Sequence, residues 1–231
     1  MQKHVLTSLV WDSKFFNKKI YRFDLNSAAD INKFYDGLYQ FNGDLVYLFS
    51  KEKLDITFNE RFFLADKKAI FQKKIRTKED LFDNNIISSV NVTEELLELA
   101  FLSGNHSRFK LDNSLSFKFK ELYKIWLEKS ISRELASEVF VYKIDGKEIA
   151  FVTIKKNDSV ATIGLIAVHE LFHGKNIGSL LLRTAENWCL KNNIDALEVA
   201  TQLDNIQACN FYKKNGFEIK QIDYIYHYYK K

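Results

Sequence analysis

At 231 residues the chain is long enough for one large domain or two small ones, each with a buried core. Hydrophobic side chains make up 46% and charged ones 28%, an ordinary mix for a folded, water-soluble protein. The net charge is only +4, with 15 basic and 12 acidic residues up to position 90 and 19 and 18 after it, so the one-signed face of a nucleic-acid binder is missing.

Neither end of the hydropathy scale is reached. The opening "MQKHVLTSLVWDSKFF" breaks its short apolar run at Asp12 and does not read as a signal peptide. No apolar stretch approaches the roughly 18 residues of a membrane span. The two cysteines, Cys189 and Cys209, fall inside helical patterns and read as small core residues of a reducing compartment, so the expected location is the cytoplasm. Proline is absent, which leaves glycine, asparagine and aspartate to punctuate the chain.

In chain order, residues 20–25 and 44–50 read as strands, rich in aromatic and branched residues. Between them Ile31, Phe34, Tyr35 and Leu38 form a helical stripe. Residues 60–75 read as a strand pair turning around Ala-Asp-Lys-Lys, and Asp12 and Ser13 as a turn. The pattern restarts at 86–92 with a strand. A helix follows at 93–104, between the N-cap Thr93 and the stop Gly104. A second helix spans 116–131. Three strands come next, with turns at Asp145-Gly146 and Asn157-Asp158 and an end at Val168. Then come a glycine-bearing loop, a helix over 175–192, the strand 196–202, a helix closed by Gly216 and a final strand. From residue 86 the order is β-α-α-β-β-β-α-β-α-β. Consecutive strands of this kind exclude a doubly wound nucleotide fold, which alternates strand and helix throughout. The expected division is an N-terminal α/β domain over 1–85 and a second domain over 86–231.

The loop carries the chemistry. A helix start leaves about four N–H groups unpaired and roughly half a positive charge. Gly174 and Gly178 permit close approach of a ligand to the main chain, and Lys175 adds charge, so a phosphate or diphosphate nest is one reading. A plain strand-to-helix turn is the other. The spacing fits neither a P-loop nor a dinucleotide fingerprint. His169 and His173 straddle a loop without a third partner, so no metal site is expected.

The segment His173-Gly174-Lys175-Asn176-Ile177-Gly178 resembles the acetyl-coenzyme A loop [QR]-x-x-G-x-[GA] of the GNAT acetyltransferase superfamily. His173 replaces the usual Gln or Arg, and Asn176 the central glycine. Downstream, Asn205, Ala208, Phe211, Tyr212, Gly216 and Phe217 resemble its second coenzyme segment, N-x-x-A-x-x-[FL]-Y-x-x-x-G-F. The resemblance implies a GNAT fold of α/β (α+β) class: a mixed, mostly antiparallel sheet flanked by helices, beside a smaller N-terminal α/β domain. It implies acetyl-CoA as cosubstrate, held by Ile166, Ala167, Val168, His173, Gly174, Lys175, Asn176, Ile177, Gly178, Ser179, Asn205 and Tyr212. Tyr212 is implied as the general acid for the departing thiolate. A homodimer is also implied.

Stretches 9–23, 103–112 and 119–131 further resemble dTDP-fucosamine acetyltransferases, which N-acetylate a nucleotide-linked amino sugar for surface polysaccharide. Arg108 could clamp a diphosphate or orient Asp112, or the two could simply pair. Trp11 and Phe15 could stack on sugar or base, or fill a core. His106, just before Ser-Arg-Phe, is a candidate base. The alternatives are a GNAT acting on another small amine or a protein N-terminus, and a CoA-binding regulator without catalysis.

Overall fold

The computed structural model describes residues 6–25, 27–39, 41–56, 60–76 and 83–230. Residues 1–5, where the leader reading begins, and 77–82, just before the expected domain boundary, lie outside them. The elements are β1 (Thr7–Ser8), α1 (Val10–Phe16), β2 (Ile20–Leu25), α2 (Ile31–Tyr39), β3 (Leu45–Ser50) and β4 (Phe62–Lys74). Then come β5 (Ile86–Ser88), α3 (Glu94–Ser103), α4 (Arg108–Leu111), α5 (Phe119–Ile131), β6 (Glu138–Ile144), β7 (Lys147–Asn157) and β8 (Val160–Val168). The chain ends with α6 (Ile177–Lys191), β9 (Ala196–Gln202), α7 (Ile206–Lys214) and β10 (Glu218–Tyr229).

Two compact units emerge, and neither boundary falls at 85/86. The first holds Met1–Ala69, Gln202–Asp204 and Gln221–Lys231; the second holds Ile70–Thr201 and Asn205–Lys220. Strands β4 and β10 therefore each contribute to both, which no cut at a single position can reproduce.

In the first unit the strand order is β1-β2-β3-β10-β4. Strands β2 and β3 run parallel, while β10 lies antiparallel to β3. Phe34 of α2, fully buried, meets Phe23, Phe62 and Tyr228 at 5.2, 5.6 and 6.1 Å between ring centres, all edge-on. Such aromatic packing supplies much apolar burial from few residues.

Two expectations fail here. Residues 65–68 are not a turn: β4 runs straight through them, and none has the positive φ a tight hairpin needs. The polar run is accommodated because Lys67 pairs with Asp204 at 2.6 Å and its carbonyl accepts the Leu203 N–H at 2.8 Å. Asp12 and Ser13 lie inside α1 rather than in a turn. The Ser13 hydroxyl accepts the Ile20 N–H at 2.9 Å, and Asn17 ends the helix in the left-handed region at φ 52°.

In the second unit the order is β4-β9-β8-β7-β6-β5. Strands β5 to β8 are antiparallel neighbours, and β8 lies parallel to β9. The Asp145-Gly146 turn has φ of 49° and 80°, the doubly left-handed hairpin geometry its sequence predicts. Helix α3 packs on β7, β8 and α5, and α6 packs on β7 and β8. Thr93 caps α3 by accepting the Leu96 N–H at 3.2 Å. At the other end of α3, a β-carbon on Gly104 would run into the Tyr123 ring, which is buried and has nowhere to go. Gly104→Ala is therefore expected to destabilise by about 1–3 kcal/mol through overpacking, read as a lower denaturant midpoint. No helix among the described residues is long and apolar enough to cross a membrane.

Candidate active site

The parallel pairing of β8 with β9 begins at Val160–Ala196 and ends at Ile163–Val199. Both strands continue, β8 to Val168 and β9 to Gln202, so they part company above Ile163. Opposite β7 the register shifts: Ile163 faces Ile154, yet Ile166 faces Val152. Gly164 and Leu165 thus oppose Thr153 alone, a β-bulge. The N–H of His169 donates to Ile149 at 2.8 Å, which fixes the phase of the ladder beyond the bulge. Counting back in twos, Ala167 turns its main chain into β7, while Ile166 and Val168 turn theirs to the side β9 has left. Of the three residues expected to donate, alternation thus keeps Ile166 and Val168 and removes Ala167. The Ala167 side chain is 8% exposed.

The loop that follows is held in the left-handed region at two points, Gly174 (φ 75°) and Asn176 (φ 62°). Nothing crowds Gly174, so its main chain, not its surroundings, calls for glycine. Asn176 tolerates this conformation better than most side chains and stands as N-cap of α6 without a capping side-chain bond. Its carbonyl takes the Leu180 N–H at 3.1 Å, and the N–H groups of Ile177, Gly178 and Ser179 begin the helix ahead of that bond. Residues 173–176 are exposed. Gly178 sits where three elements converge: a β-carbon there would lie 3.1 Å from Phe211 of α7 and 3.6 Å from Val168 of β8. The left-handed loop at the start of α6, the end of β8 and α7 at Phe211 therefore adjoin.

The model of the Acetyltransferase (GNAT) family matches residues 105–217, which hold all of these parts. Over these residues the chain is similar to the GNAT acetyltransferase family. Streptothricin acetyltransferase A of Bacillus subtilis is 32% identical over 106 residues, 46% of this chain and 61% of that protein. The spore coat polysaccharide biosynthesis protein SpsD of the same organism is 29% identical over 136 residues, 58% of this chain and 47% of that protein. The chain thus spans about half the length of these curated relatives. A GNAT-family acetyltransferase structure from Colwellia psychrerythraea superposes with a TM-score of 0.52 at 14% identity, over 91% of this chain and 76% of that one. The chain has the GNAT fold.

Against the GNAT loop pattern, the departure at His173 has a structural use. Its Nε2 lies 2.8 Å from the Val168 carbonyl, which can only accept, so the ring donates and ties the loop to the end of β8. His169 is occupied locally, its Nδ1 accepting the Leu171 N–H at 3.3 Å. Among the described residues no group of three or more His, Cys, Asp or Glu is placed to hold a metal. The Lys175 ammonium sits 4.8 Å over the Phe172 ring.

In the second GNAT segment, Asn205 caps α7 by accepting the Ala208 N–H at 3.1 Å through Oδ1, which leaves its amide N–H groups to donate. Aspartate caps equally well but cannot donate. If those N–H groups hold the coenzyme, as the resemblance implies, Asn205→Asp is expected to keep the melting temperature and to raise the KM for acetyl-CoA by about 2–12-fold, the value of one hydrogen bond, in steady-state assays. Tyr212 is 4% exposed and packs against Phe71, Phe211 and Phe217 at 5.3–5.9 Å. Burial, and then the neighbouring Cys209, push its pKa well above the ordinary tyrosine value, so the phenol keeps its proton.

The expected acceptor residues are more scattered. Arg108 opens α4 with its guanidinium 4.3 Å over the Phe109 ring, and Asp112, 5% exposed, accepts the Ser114 N–H at 2.8 Å. His106 is exposed, two residues before α4. Trp11 and Phe15 belong to the first unit, where they stack on each other at 4.9 Å, and Trp11 is 47% exposed. In α1 it is Phe16 that fills the core. The bulge made by Thr153 and Gly164 is the part that motif reading passes over.

Proposed function

We propose that this protein is an acyl-CoA-dependent N-acetyltransferase acting in a ternary complex, with a nucleotide-activated amino sugar of the dTDP-4-amino-4,6-dideoxyhexose type as acceptor. The observation that carries the reaction class is the edge of β8, abandoned by β9 beyond Ile163 and adjoining a left-handed loop at the start of α6. Acetyl-CoA supplies the acetyl group as a thioester, together with a diphosphate and a pantetheine arm for the protein to hold. The N–H groups of Ile177, Gly178 and Ser179, with Lys175 and the main chain of His173, Gly174 and Asn176, bind the diphosphate. Ile166 and Val168 donate to the arm and to oxygen as charge builds on it, and fixed donors of this kind need no rearrangement during reaction. Asn205 donates to the arm. Tyr212 gives its proton to the leaving sulfur. The amine loses its proton through water or through His106, and Arg108 with Asp112 orients the acceptor's diphosphate.

The sugar-nucleotide acceptor draws support from the segments 9–23, 103–112 and 119–131 and from the likeness to SpsD, whose name places that protein in spore coat polysaccharide biosynthesis. The likeness to streptothricin acetyltransferase A favours a second reading, another small amine as acceptor. Free thiol is measured after mixing the protein with acetyl-CoA and each of a panel of amines. Release that depends on a dTDP-amino sugar supports the first reading, and release with other amines alone supports the second. Binding of CoA without release under any amine overturns both in favour of a non-catalytic binder.

A further inference from the structure

We propose that Thr153 is a positioning residue for acyl transfer: its hydroxyl latches the bulge in β8 and thereby decides which main-chain donors face the open edge. The kinetic part of this rests on the acyltransferase reading above; the latch itself does not.

Asn157 and Val160 close a two-residue turn, so the ladder begins with that pair hydrogen-bonded, and Thr162 and Gly164 follow in phase, facing β7. Beyond the bulge the residues facing β7 are Leu165, Ala167 and His169. The one extra residue has reversed the alternation. Without it, Leu165 and Ala167 would turn outward, and Ile166 and Val168 would be consumed in the ladder. The donors proposed to act on the thioester exist because of the bulge.

A bulge leaves one main-chain group without its ladder partner. Here that group is the Leu165 N–H, and Thr153 Oγ1 accepts it at 2.8 Å. Thr153 is 2% exposed and Leu165 8%, so water is no substitute. The space is matched from the other side: a β-carbon on Gly164 would fall 2.9 Å from that same Oγ1. Threonine at 153 and glycine at 164 therefore form a pair, one supplying the acceptor and the other making room for it. Valine at 153 has the same shape and no acceptor, which strands a buried N–H and favours sliding or loss of the extra residue.

The test uses the full-length protein in three variants, Thr153→Val, Thr153→Ser and Gly164→Ala, with steady-state kinetics and amide hydrogen exchange followed by NMR. Thr153→Val is expected to lower kcat at least about tenfold, by displacing transition-state donors, and to raise the KM for acetyl-CoA by about 2–12-fold, because the same donors hold the arm. Thr153→Ser, which keeps the acceptor, is expected to stay within about twofold of the parent, and Leu165 exchange should rise at least about tenfold in the valine and alanine variants but not in the serine one. Gly164→Ala leaves the hydroxyl and crowds it, and the same kcat loss is expected; this variant carries the test if Thr153→Val does not fold. Unchanged Leu165 exchange in the valine variant overturns the latch. Raised exchange with kcat intact overturns its positioning role. A parent protein that releases no thiol with any amine overturns the acyltransferase reading instead, and Leu165 exchange still decides the latch.

Discussion

Tyr212→Phe lowers kcat by about 100- to 10,000-fold, the usual worth of a positioned general acid, and leaves the affinity for CoA within about twofold. The change removes one hydroxyl and keeps the ring that packs on Phe71, Phe211 and Phe217, so the fold should survive. Stopped thiol-release assays and calorimetric titration with CoA read the two halves of this expectation. A pH profile adds a third. With the phenol's pKa raised by burial, kcat should show no fall from tyrosine ionisation on passing pH 10, the ordinary tyrosine value. The same shift makes a stability statement. The folded chain holds this proton more tightly than the unfolded chain, so the contribution is complete below about pH 10 and is lost as the pH climbs above it.

Gly174→Val probes the proposed diphosphate nest. At φ 75° and with open space around it, the position tolerates a side chain sterically but not conformationally. Holding a residue with a β-carbon in the left-handed region costs about 1–2 kcal/mol, and a branched one at least that much, so the loop should relax away from the nest. If the nest binds the diphosphate, the KM for acetyl-CoA rises about 5- to 30-fold while kcat at saturation holds. The control is S-acetylpantetheine, which lacks the diphosphate: its KM should not respond to Gly174→Val. A parallel loss with both donors would place the damage elsewhere.

Local signals made most of the elements legible in the sequence. Doubly left-handed Asp145-Gly146, the Thr93 cap and the glycine loop each announce a main-chain geometry that only certain residues permit, and each is found where expected. Residues 65–68 misled because a polar run with two lysines looks like a turn, and only a distant partner, Asp204, explains why it is not. The shared strands β4 and β10 were hidden for the same reason: sheet neighbours are set by long-range pairing, while the sequence shows only near-neighbour preference. Tyr212 and Asn205 entered as site candidates through the resemblance of residues 205–217 to the second coenzyme segment, which local pattern alone does not supply. Ala167 was not separable from its neighbours, because a donor's direction depends on strand phase and the phase turns on one bulge. Gly164 was the available clue, a lone glycine inside an apolar strand.

Donors at the edge of β8 and at the start of α6 are proposed to meet one extended ligand. Amide NMR during titration with CoA reads those donors individually. The resonances of Ile166, Val168, Ile177, Gly178 and Ser179 are expected to move together, saturating at a single CoA concentration, with Ala167 moving far less. Saturable binding that leaves these five in place, or no binding at all, would contradict that proposal.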